Sequence, residues 1–373
     1  MSGIHLLLGG DVLPTESTFS AFQAGDAETL LTGGLLEAWL GADARFFNLE
    51  CPLTNGETPI EKCGPALRAP VDCVRGVAAL RPDGVSLCNN HILDYGPSGL
   101  ADTRAALSRE TVPFFGAGEN RTEADVPLYY EKDGIKVGLY ALCEHEFSAA
   151  SESAPGANPL DPLELGDRIR KVKAGCDYLI LLYHGGRECY PYPSPMLQKT
   201  CRKAVSAGAN LVLCQHSHCI GSTETYQGAT ILYGQGNFLF DVRDGEPCFD
   251  SGLIVSVTLE DGKAAVDYLP VLRREGGARL AAGAEKDAVL SGFFARSAEL
   301  EQPGFVEETY AAYAASQKEK MLKVFLSGNP LLKAVNLLYG RKPSRVYGRR
   351  TLLNIKNTLM CESLNELIRR GLE

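Results

Sequence analysis

Two histidines stand on alternate residues in LVLCQHSHCI, residues 211 to 220, directly after a run of apolar residues. The chain has only six histidines in 373 residues, so His216 and His218 are a third of its supply. Side chains at positions i and i+2 of an extended segment point to the same side. Imidazoles placed in this way can bind one divalent cation, or two cations that share a site.

Polar residues that can bind a metal also follow four other apolar runs. They are Asp11 after IHLLLGG, Asn48 and Glu50 in ARFFNLE, Asn89, Asn90, His91 and Asp94 after DGVSLC, and His184 with Glu188 after DYLILLY. Carboxylates, amide oxygens and imidazoles together are the mixed ligand set of Mn, Fe or Zn. One such residue alone is more often a structural histidine, a turn residue or a helix cap. Five strand ends that all finish in such residues favour a metal site.

The elements that must position these residues are short strands alternating with helices. Five apolar segments have the pattern of strands buried on both faces: 4–10, 44–50, 83–90, 177–186 and 210–218. Helical patterns lie between them, at 28–42, 71–82, 98–110 and 194–209. The alternation predicts an α/β sheet. Ligands bind beyond the carboxyl ends of the strands of such a sheet, so residues far apart in sequence can converge there.

Later strands have a different character. Asp-Gly pairs predict β-hairpins within 126–142 and 251–271. Residues 286–373 carry mostly helical periodicity. We therefore predict one domain over residues 1–280 and a mainly helical C-terminal extension over residues 281–373, which is basic after residue 317.

The formal net charge of −9 is unevenly distributed. Residues 317–373 contain 12 Lys+Arg against 4 Asp+Glu, so the remainder of the chain carries −17. An acidic body argues against nucleic acid as a partner. The basic segment could contact an acidic polymer or a membrane surface, or it could dock on the acidic body.

The twelve cysteines are scattered, with no CxxC pair. Their apolar neighbours predict small buried side chains in a reducing compartment rather than a disulfide framework. A zinc site at Cys214 and Cys219 is disfavoured, because no second Cys/His cluster has the usual spacing. No apolar run approaches 18 residues, and LLLGG near the N-terminus lacks the features of a signal peptide. These observations predict a cytoplasmic location and no transmembrane segment.

Six further segments follow one another between about residues 5 and 270. They are GGDVLPT (9–15), FFNLECPLT (46–54), CNNHILDYGPSGLADT (88–103), FFGAGEN (114–120), YHGGRECYPYP (183–193) and GANLVLCQHSHCIGSTETYQGATILYGQGNFLFD (208–241). In this order they resemble the poly-γ-glutamate capsule biosynthesis family, called CapA-like, whose domain is similar to the calcineurin-type metallophosphoesterases. The resemblance implies a four-layer α/β/β/α sandwich with a metal centre at one edge. It does not extend to the C-terminal hundred residues.

The resemblance also implies roles for individual residues. The implied metal ligands, with Glu50 bridging two ions, are Asp11, Glu50, Asn90, His184, His216 and His218. His91 is the implied general acid. Asp94 is either the carboxylate that fixes the tautomer of His91 or a helix N-cap. The residues predicted to contact substrate are Arg187, Glu188 and Asn237, although a surface pair and a tight turn explain them as well.

Two departures from the metallophosphoesterase pattern affect the metal centre. The first motif is Asp-x-His in that family, and here Leu13 stands in place of the histidine. The bridging carboxylate is Glu50 rather than an aspartate, and is one methylene longer. We therefore expect one or two ions of Mn, Fe or Zn.

The expected function is hydrolysis of a phosphoester or of a γ-glutamyl, amide-linked polymer, with metal-bound hydroxide as the nucleophile. Its partners would be an acidic polymer or a phosphorylated small molecule. The alternative is a non-catalytic polymer-binding or assembly component that works with capsule-synthesis proteins, for which family analogy implies an extracytoplasmic location. A domain that has lost its catalytic function is the third interpretation.

Overall fold

Two β-sheets pack face to face, and each carries helices on its outer side. This computed structural model describes residues 3–240, 247–326 and 330–372. Residue 241, the last of the motif that begins at Gly208, lies outside these ranges. By internal contacts the chain forms two units, residues 1–306 and residues 307–373.

The strands of the described residues follow in chain order: β1 Ile4–Val12, β2 Leu31–Thr32, β3 Ala44–Leu49, β4 Gly84–Ser86, β5 Phe114–Phe115, β6 Ala117–Gly118, β7 Leu128–Lys132, β8 Ile135–Cys143, β9 Gly156–Ala157, β10 Tyr178–His184, β11 Leu211–Gln215, β12 Thr223–Tyr226, β13 Ala229–Tyr233, β14 Asn237–Leu239, β15 Ser251–Glu260, β16 Lys263–Arg274 and β17 Gly277–Leu280.

The α-helices of the described residues are α1 Phe19–Ala24, α2 Ala27–Leu30, α3 Leu35–Leu40, α4 Val74–Ala79, α5 Gly96–Arg109, α6 Arg121–Ala124, α7 Leu165–Lys173, α8 Pro195–Ser206, α9 Gly283–Glu299, α10 Phe305–Val324, α11 Pro330–Leu338, α12 Pro343–Val346, α13 Arg349–Met360 and α14 Glu362–Gly371. Two short 3₁₀ turns, Val71–Cys73 and Pro247–Phe249, complete the elements.

The first sheet has the order β2-β17-β16-β15-β1-β3-β4-β5, with β14 also paired to β1. The second has the order β12-β13-β11-β10-β8-β7. In both sheets the central strands are parallel, and antiparallel partners flank them. The predicted α/β core with added antiparallel strands is confirmed, and the carboxyl ends of β1, β3, β10 and β11 lie at the edge where the site residues were expected.

The side chains of β10 alternate between two apolar cores. Ile180 and Leu182 lie in the core between the sheets. Leu179, Leu181 and Tyr183 pack in a second core, with α7 and α8 on the outer side of the second sheet. The strand reads as a continuous apolar run because both of its faces are buried.

In the first sheet, the aromatic residues of β3 likewise alternate between the inner and the outer face. The ring of Phe46 lies 6.3 Å from that of Tyr130 on β7, which belongs to the second sheet. Phe47 faces the opposite side, where its ring lies 6.4 Å from the ring of Trp39 on α3. Trp39 donates a hydrogen bond from Nε1 to the carbonyl oxygen of Leu80, at 2.8 Å. The four-layer α/β/β/α sandwich is therefore confirmed.

Two-residue turns form the predicted hairpins. Asp133 and Gly134 have φ values of 51° and 80°, and they join β7 to β8. Asp261 and Gly262, with φ values of 50° and 73°, join β15 to β16 in the same way. Positive φ at both central residues is the reason that Asp-Gly pairs are favoured in such turns.

The predicted helix over residues 28–42 is wrong as one element. The segment consists of α2, then β2, then α3. Gly33 and Gly34 have φ values of 59° and 80°, and this left-handed conformation interrupts a helix. Between the helices, β2 pairs in parallel with β17, so sheet formation overrides the local helical pattern.

The helical C-terminal region is confirmed, since only helices follow β17 among the described residues. The strands end at Leu280, whereas the first unit continues by contact to Val306. The domain boundary at residue 280 therefore stays a prediction. None of the helices in the described ranges is both long and apolar enough to cross a membrane.

One pair of cysteines differs from the prediction. Cys189 and Cys248 form a disulfide, with their Cα atoms 5.9 Å apart and a sequence separation of 59. Such a pairing depends on the fold and cannot be derived from the sequence spacing. Seven of the ten free cysteines among the described residues are buried.

A matched pair of substitutions tests the packing of the outer helices. Gly76 lies within α4, and a Cβ atom there would stand 2.4 Å from the Cα of Phe22 on α1. We expect Gly76→Ala to lower the free energy of unfolding by about 1–3 kcal/mol, despite the better helix propensity of alanine. Denaturant unfolding measures this difference.

The control is Gly292→Ala within α9, where the nearest atom to a new Cβ is the end of the Arg296 side chain, at 3.4 Å. This substitution should raise the free energy of unfolding by up to about 1 kcal/mol. Equal effects of the two substitutions would contradict the close approach of α1 and α4.

Candidate metal centre

Three polar side chains lie next to one another at the edge of the first sheet. In the register of the parallel strands, Asp11 of β1 pairs with Asn48 of β3 on one side and with Asn237 of β14 on the other. All three are buried. Asn48 donates a hydrogen bond from Nδ2 to Asp11 Oδ1 at 2.8 Å, which orients the carboxylate. The predicted convergence of the strand ends therefore occurs.

Glu50, directly after β3, has an unusual environment for a carboxylate. Its side chain is fully buried, and among the described residues neither carboxylate oxygen has a hydrogen-bond partner. The nearest cation is His184, whose Nε2 lies 3.3 Å from Glu50 Oε1. A buried carboxylate without hydrogen bonds is rare, because its desolvation costs several kcal/mol. The arrangement fits a carboxylate whose partners are bound cations.

Two groups of possible metal ligands share Glu50. One contains Glu50, His184 and His216, and the other contains Asp11, Glu50 and His218. Within each group the ligand atoms lie within 4.8 Å of one another, and all five residues are buried. This mixed oxygen and nitrogen donor set suits Mn, Fe or Zn. The structure thus brings together five of the six predicted ligands, with Glu50 common to both groups.

Asn90, the sixth predicted ligand, lies against the first group. Its Oδ1 is 3.0 Å from His184 Nε2, and its Nδ2 donates to Glu146 Oε2 at 3.0 Å. The bond to Glu146 fixes the amide so that its oxygen, the atom a metal can use, points toward His184.

His216 and His218 do not continue β11, contrary to the expectation of an extended segment. The strand ends at Gln215, and the two histidines have φ values of 79° and 56°. This left-handed conformation is uncommon for residues other than glycine and is associated with functional sites. The backbone N–H of His216 donates to Asp11 Oδ2 at 3.0 Å, which holds the turn against β1. Both rings still reach the centre, through the turn rather than through strand alternation.

Charges within the centre shift the pKa values of its side chains. Burial, then the charge of Glu50, raises the pKa of Asp11 to about 6. Burial would raise the pKa of Glu50 as well, but His218 and His184 hold it at about 2. Burial opposes the charged form of His184, yet contact with Glu50 raises its pKa to about 9. Burial, together with the charge of His184, lowers the pKa of His216 well below its usual value. His216 therefore favours the neutral form that a metal ligand needs, whereas His184 would have to release a proton to bind a metal.

A buried amide orients the ring of His218. Its Nδ1 lies 2.9 Å from the side-chain oxygen of Asn237, and because an amide oxygen only accepts, the imidazole donates from Nδ1. Nε2 is then left for a metal, as is usual for metal-binding histidines. Asn237 was predicted to contact substrate; its observed contact is with His218, and the substrate role stays a prediction.

His91 forms a pair with Asp94. The distance from His91 Nδ1 to Asp94 Oδ2 is 2.7 Å, and since a carboxylate accepts, Nδ1 carries the proton. The alternative interpretation of Asp94 as a helix N-cap is wrong. The helix α5 begins at Gly96, Tyr95 occupies its N-cap position, and no side chain caps it.

The structure also shows site residues that the sequence analysis missed. The side chain of Lys62 is only 4% exposed, although it lies in a loop with many exposed residues. Its Nζ donates to Asp94 Oδ1 and lies 3.4 Å from His91 Nδ1. No local signal distinguishes it from a surface lysine. Glu144 and Glu146 directly follow β8, so the rule applied to the other strand ends would have found them. Burial raises the pKa of Glu144.

Arg187 and Glu188 lie in the loop after β10. Arg187 is partly buried and Glu188 is exposed, and neither belongs to a ligand group. Their predicted contact with substrate stays a prediction.

Leu13, at the position of the missing histidine, is buried in the apolar core. On its other side it borders a cavity of about 470 Å³, which is also lined by Thr15, Thr54 and Arg68. The second ligand group therefore gains no ligand from this position. A cavity of this size is sufficient for a small molecule or for one segment of a polymer.

Comparison with known proteins places these residues in a family. The family model described as "Bacterial capsule synthesis protein PGA_cap" matches residues 5–242. The capsule biosynthesis protein CapA of Bacillus anthracis is 29% identical over 216 residues, which are 56% of this chain and 52% of that protein. A probable polyglutamine synthesis accessory protein of Mycobacterium tuberculosis (strain ATCC 25618 / H37Rv) is 30% identical over 235 residues, 59% of this chain and 62% of that protein. This chain thus spans about half, or somewhat more, of these curated relatives.

Solved structures are more distantly similar. A hypothetical protein from Thermus thermophilus is 14% identical, covering 73% of this chain and 100% of that chain, with a TM-score of 0.48. The 5'-nucleotidase from Candida albicans SC5314 is 10% identical, covering 85% of this chain and 57% of that chain, with a TM-score of 0.39. We draw nothing further from these two likenesses. The match over residues 5–242 covers more than half of the sequence, and this chain belongs to the bacterial capsule synthesis PGA_cap family, the CapA-like proteins.

Proposed function

We propose that this chain is a metal-dependent hydrolase of the CapA-like family, acting on a phosphoester or on a γ-glutamyl, amide-linked polymer. The observation that carries the proposal is the buried carboxylate of Glu50, which has no hydrogen-bond partner among the described residues and is shared by two ligand groups. A cation at each group would balance this charge and would satisfy the oxygens.

The residues present fit a divalent metal. His184, His216 and Asn90 would hold one ion with Glu50, and Asp11 with His218 would hold a second. Such an ion polarises a scissile bond and lowers the pKa of a bound water from 15.7 to about 7. Mn, Fe and Zn all suit this donor set.

His91 has the position and the partner of a general acid. It lies near the first ligand group, since its charge acts on both Glu50 and His216. Asp94 accepts a hydrogen bond from Nδ1, so the doubly protonated imidazolium form of His91 would give the proton on Nε2 to a leaving oxygen or nitrogen and keep the proton on Nδ1. Asp94 also accepts hydrogen bonds from the backbone N–H of Leu67, at 2.6 Å, and from Lys62. These contacts keep the carboxylate fixed while the proton moves.

The cavity beyond Leu13 supplies space for a substrate that extends from the metal centre. None of the candidate metal ligands lines this cavity, but two of its lining residues, Leu13 and Thr54, follow Asp11 and Glu50 by two and four residues in the sequence. Arg68 at its wall is a cation suited to a carboxylate or a phosphate group. Both substrate classes named above carry such groups.

A second candidate function is a non-catalytic component that binds or assembles poly-γ-glutamate with capsule-synthesis proteins. The observation that favours it is Leu13, which fills the place of a metal ligand with a buried apolar side chain. The named relatives take part in capsule or polyglutamine synthesis. In this case the metal centre would bind the carboxylates of the polymer and would not cleave the polymer.

Elemental analysis of purified variants tests the shared carboxylate. We expect Glu50→Gln to lose metal from both groups, because an amide cannot balance the charge of two cations. His216→Ala and His218→Ala should each lower the metal affinity of one ligand group by at least about tenfold. Equilibrium dialysis against Mn or Zn, followed by elemental analysis, measures both effects.

The matched control is His5→Gln, since His5 lies outside the centre and its Nε2 contacts Ser256 Oγ at 2.9 Å. Its metal content should equal that of the wild type. Unchanged metal content in Glu50→Gln would show that the carboxylate does not bind the ions.

Hydrolysis by His91 variants separates the two candidate functions. We expect His91→Ala to lower kcat by about 10²–10⁴-fold, because the leaving group is no longer protonated. Asp94→Asn should lower kcat by about 10–100-fold, since the tautomer of His91 is no longer fixed. Initial rates on a phosphodiester and on γ-glutamyl oligomers, with metal content measured beside them, provide the readout.

Retained metal with lost turnover supports the hydrolase. Full turnover by His91→Ala would exclude the proposed acid. If the wild type binds γ-glutamyl oligomers and metal but cleaves neither substrate class, the binding component is the correct function.

A further inference from the structure

The second unit exposes an unusual number of large apolar side chains. Among the described residues, 20 such side chains are exposed, and 14 of them lie between Met321 and Leu372. Leu338 is 87% exposed, Leu372 is 83% exposed and Leu367 is 71% exposed. Single exposed leucines are ordinary, but a concentration of this kind marks an interaction surface.

These side chains follow the helical repeat. In α14, Leu364, Leu367 and Ile368 stand at positions i, i+3 and i+4, and Leu372 follows at i+8. All four are exposed and share one face of the helix. The preceding helix, α13, adds exposed apolar side chains at Leu353, Leu359 and Met360. The unit thus carries amphipathic helices whose apolar faces are exposed.

The same segment is strongly basic. Residues 320–361 contain nine Lys+Arg and no Asp or Glu. The basic residues are spread over the helices and their connections, and Arg349, Arg350 and Lys356 of α13 are all exposed. A binding partner must therefore accept both apolar side chains and positive charge.

We infer that the second unit, residues 307–373, binds the surface of an anionic phospholipid bilayer. Its helices lie in the plane of the interface, with their leucines inserted at the boundary of the acyl chains. Lysine and arginine side chains pair with the phosphate groups of the lipids, and each adds an attraction that salt screens. The unit attaches the metal centre to a membrane without crossing it. This inference does not depend on the proposed hydrolysis.

Other partners fit these observations less well. An acidic polymer would neutralise the basic residues but would leave the leucines in water. A second copy could cover the apolar faces, yet it would bring two basic surfaces together. The first unit, whose six exposed large apolar residues are spread along the chain from Val126 to Phe294, offers no matching apolar cluster in its sequence. Of these partners, a bilayer alone supplies both apolar depth and negative charge.

Vesicle flotation of the full chain tests the inference. The probes are phosphatidylcholine vesicles and the same vesicles with about 30% phosphatidylglycerol, at about 0.1 M and about 0.5 M NaCl. We expect flotation with the anionic vesicles, and a smaller bound fraction at the higher salt concentration.

Substitutions within the unit separate the apolar contribution to vesicle binding from the electrostatic one. The double substitution Leu367→Ser with Ile368→Ser should lower partitioning at least about tenfold, and Arg349→Gln with Arg350→Gln by a similar factor. The matched control is Glu366→Asp on the polar face of α14, an exposed position that keeps its charge, and this variant should float as the wild type does. Circular dichroism on each variant checks that its helices persist.

Failure of the wild type to float with anionic vesicles at low salt would overturn the inference. Flotation that is unaffected by the serine pair would overturn it as well, because the apolar face would then have no part in binding. If soluble polyglutamate binds the chain and the vesicles do not, the partner is an acidic polymer. If neither binds, the helices cover another protein surface.

Discussion

The arrangement of this protein around its candidate centre depends on one buried carboxylate. Glu50 lies where two sheets meet, and burying it without a partner would cost several kcal/mol. The chain brings His184 from β10 and two further histidines from the turn after β11 to meet this charge. Asp11 adds a second carboxylate from β1. Because strands of both sheets contribute, the centre can form only when the sheets are packed together. The apolar core between the sheets therefore also positions the ligands.

Neighbouring amides and carboxylates limit the freedom of each ligand. Asn48 orients Asp11, Asn237 orients His218, and Asp94 holds Nδ1 of His91. In each histidine one ring nitrogen is occupied, so that the other is free to face the centre, whereas Asp11 accepts a hydrogen bond at each oxygen, which fixes its carboxylate. The left-handed backbone at the turn after β11 adds to this constraint, since such strain persists only where the surroundings impose it. These features are what a preorganised metal site requires.

Much of this arrangement could be predicted from the sequence, because the strands alternate with helices and end in polar residues. Asp11, Glu50 and His184 follow from that rule alone as candidate ligands. The conformation of His216 could not be predicted, since no residue-level pattern encodes a left-handed turn at a histidine. Lys62 could not be found either, because its burial depends on a contact with a residue 32 positions away. Glu144 and Glu146, by contrast, were missed although the same rule applies to them.

Metal-loaded crystals would test the central claim most directly. Anomalous scattering at the absorption edge of manganese or zinc locates each ion without reference to activity. The account predicts two peaks, one on each side of the Glu50 carboxylate, with His184 and His216 at one and Asp11 and His218 at the other. A single peak between His184 and His216 would reduce the centre to one ion, as the replacement of a histidine by Leu13 allows. Ions bound elsewhere, with Glu50 untouched in a fully loaded crystal, would contradict the account.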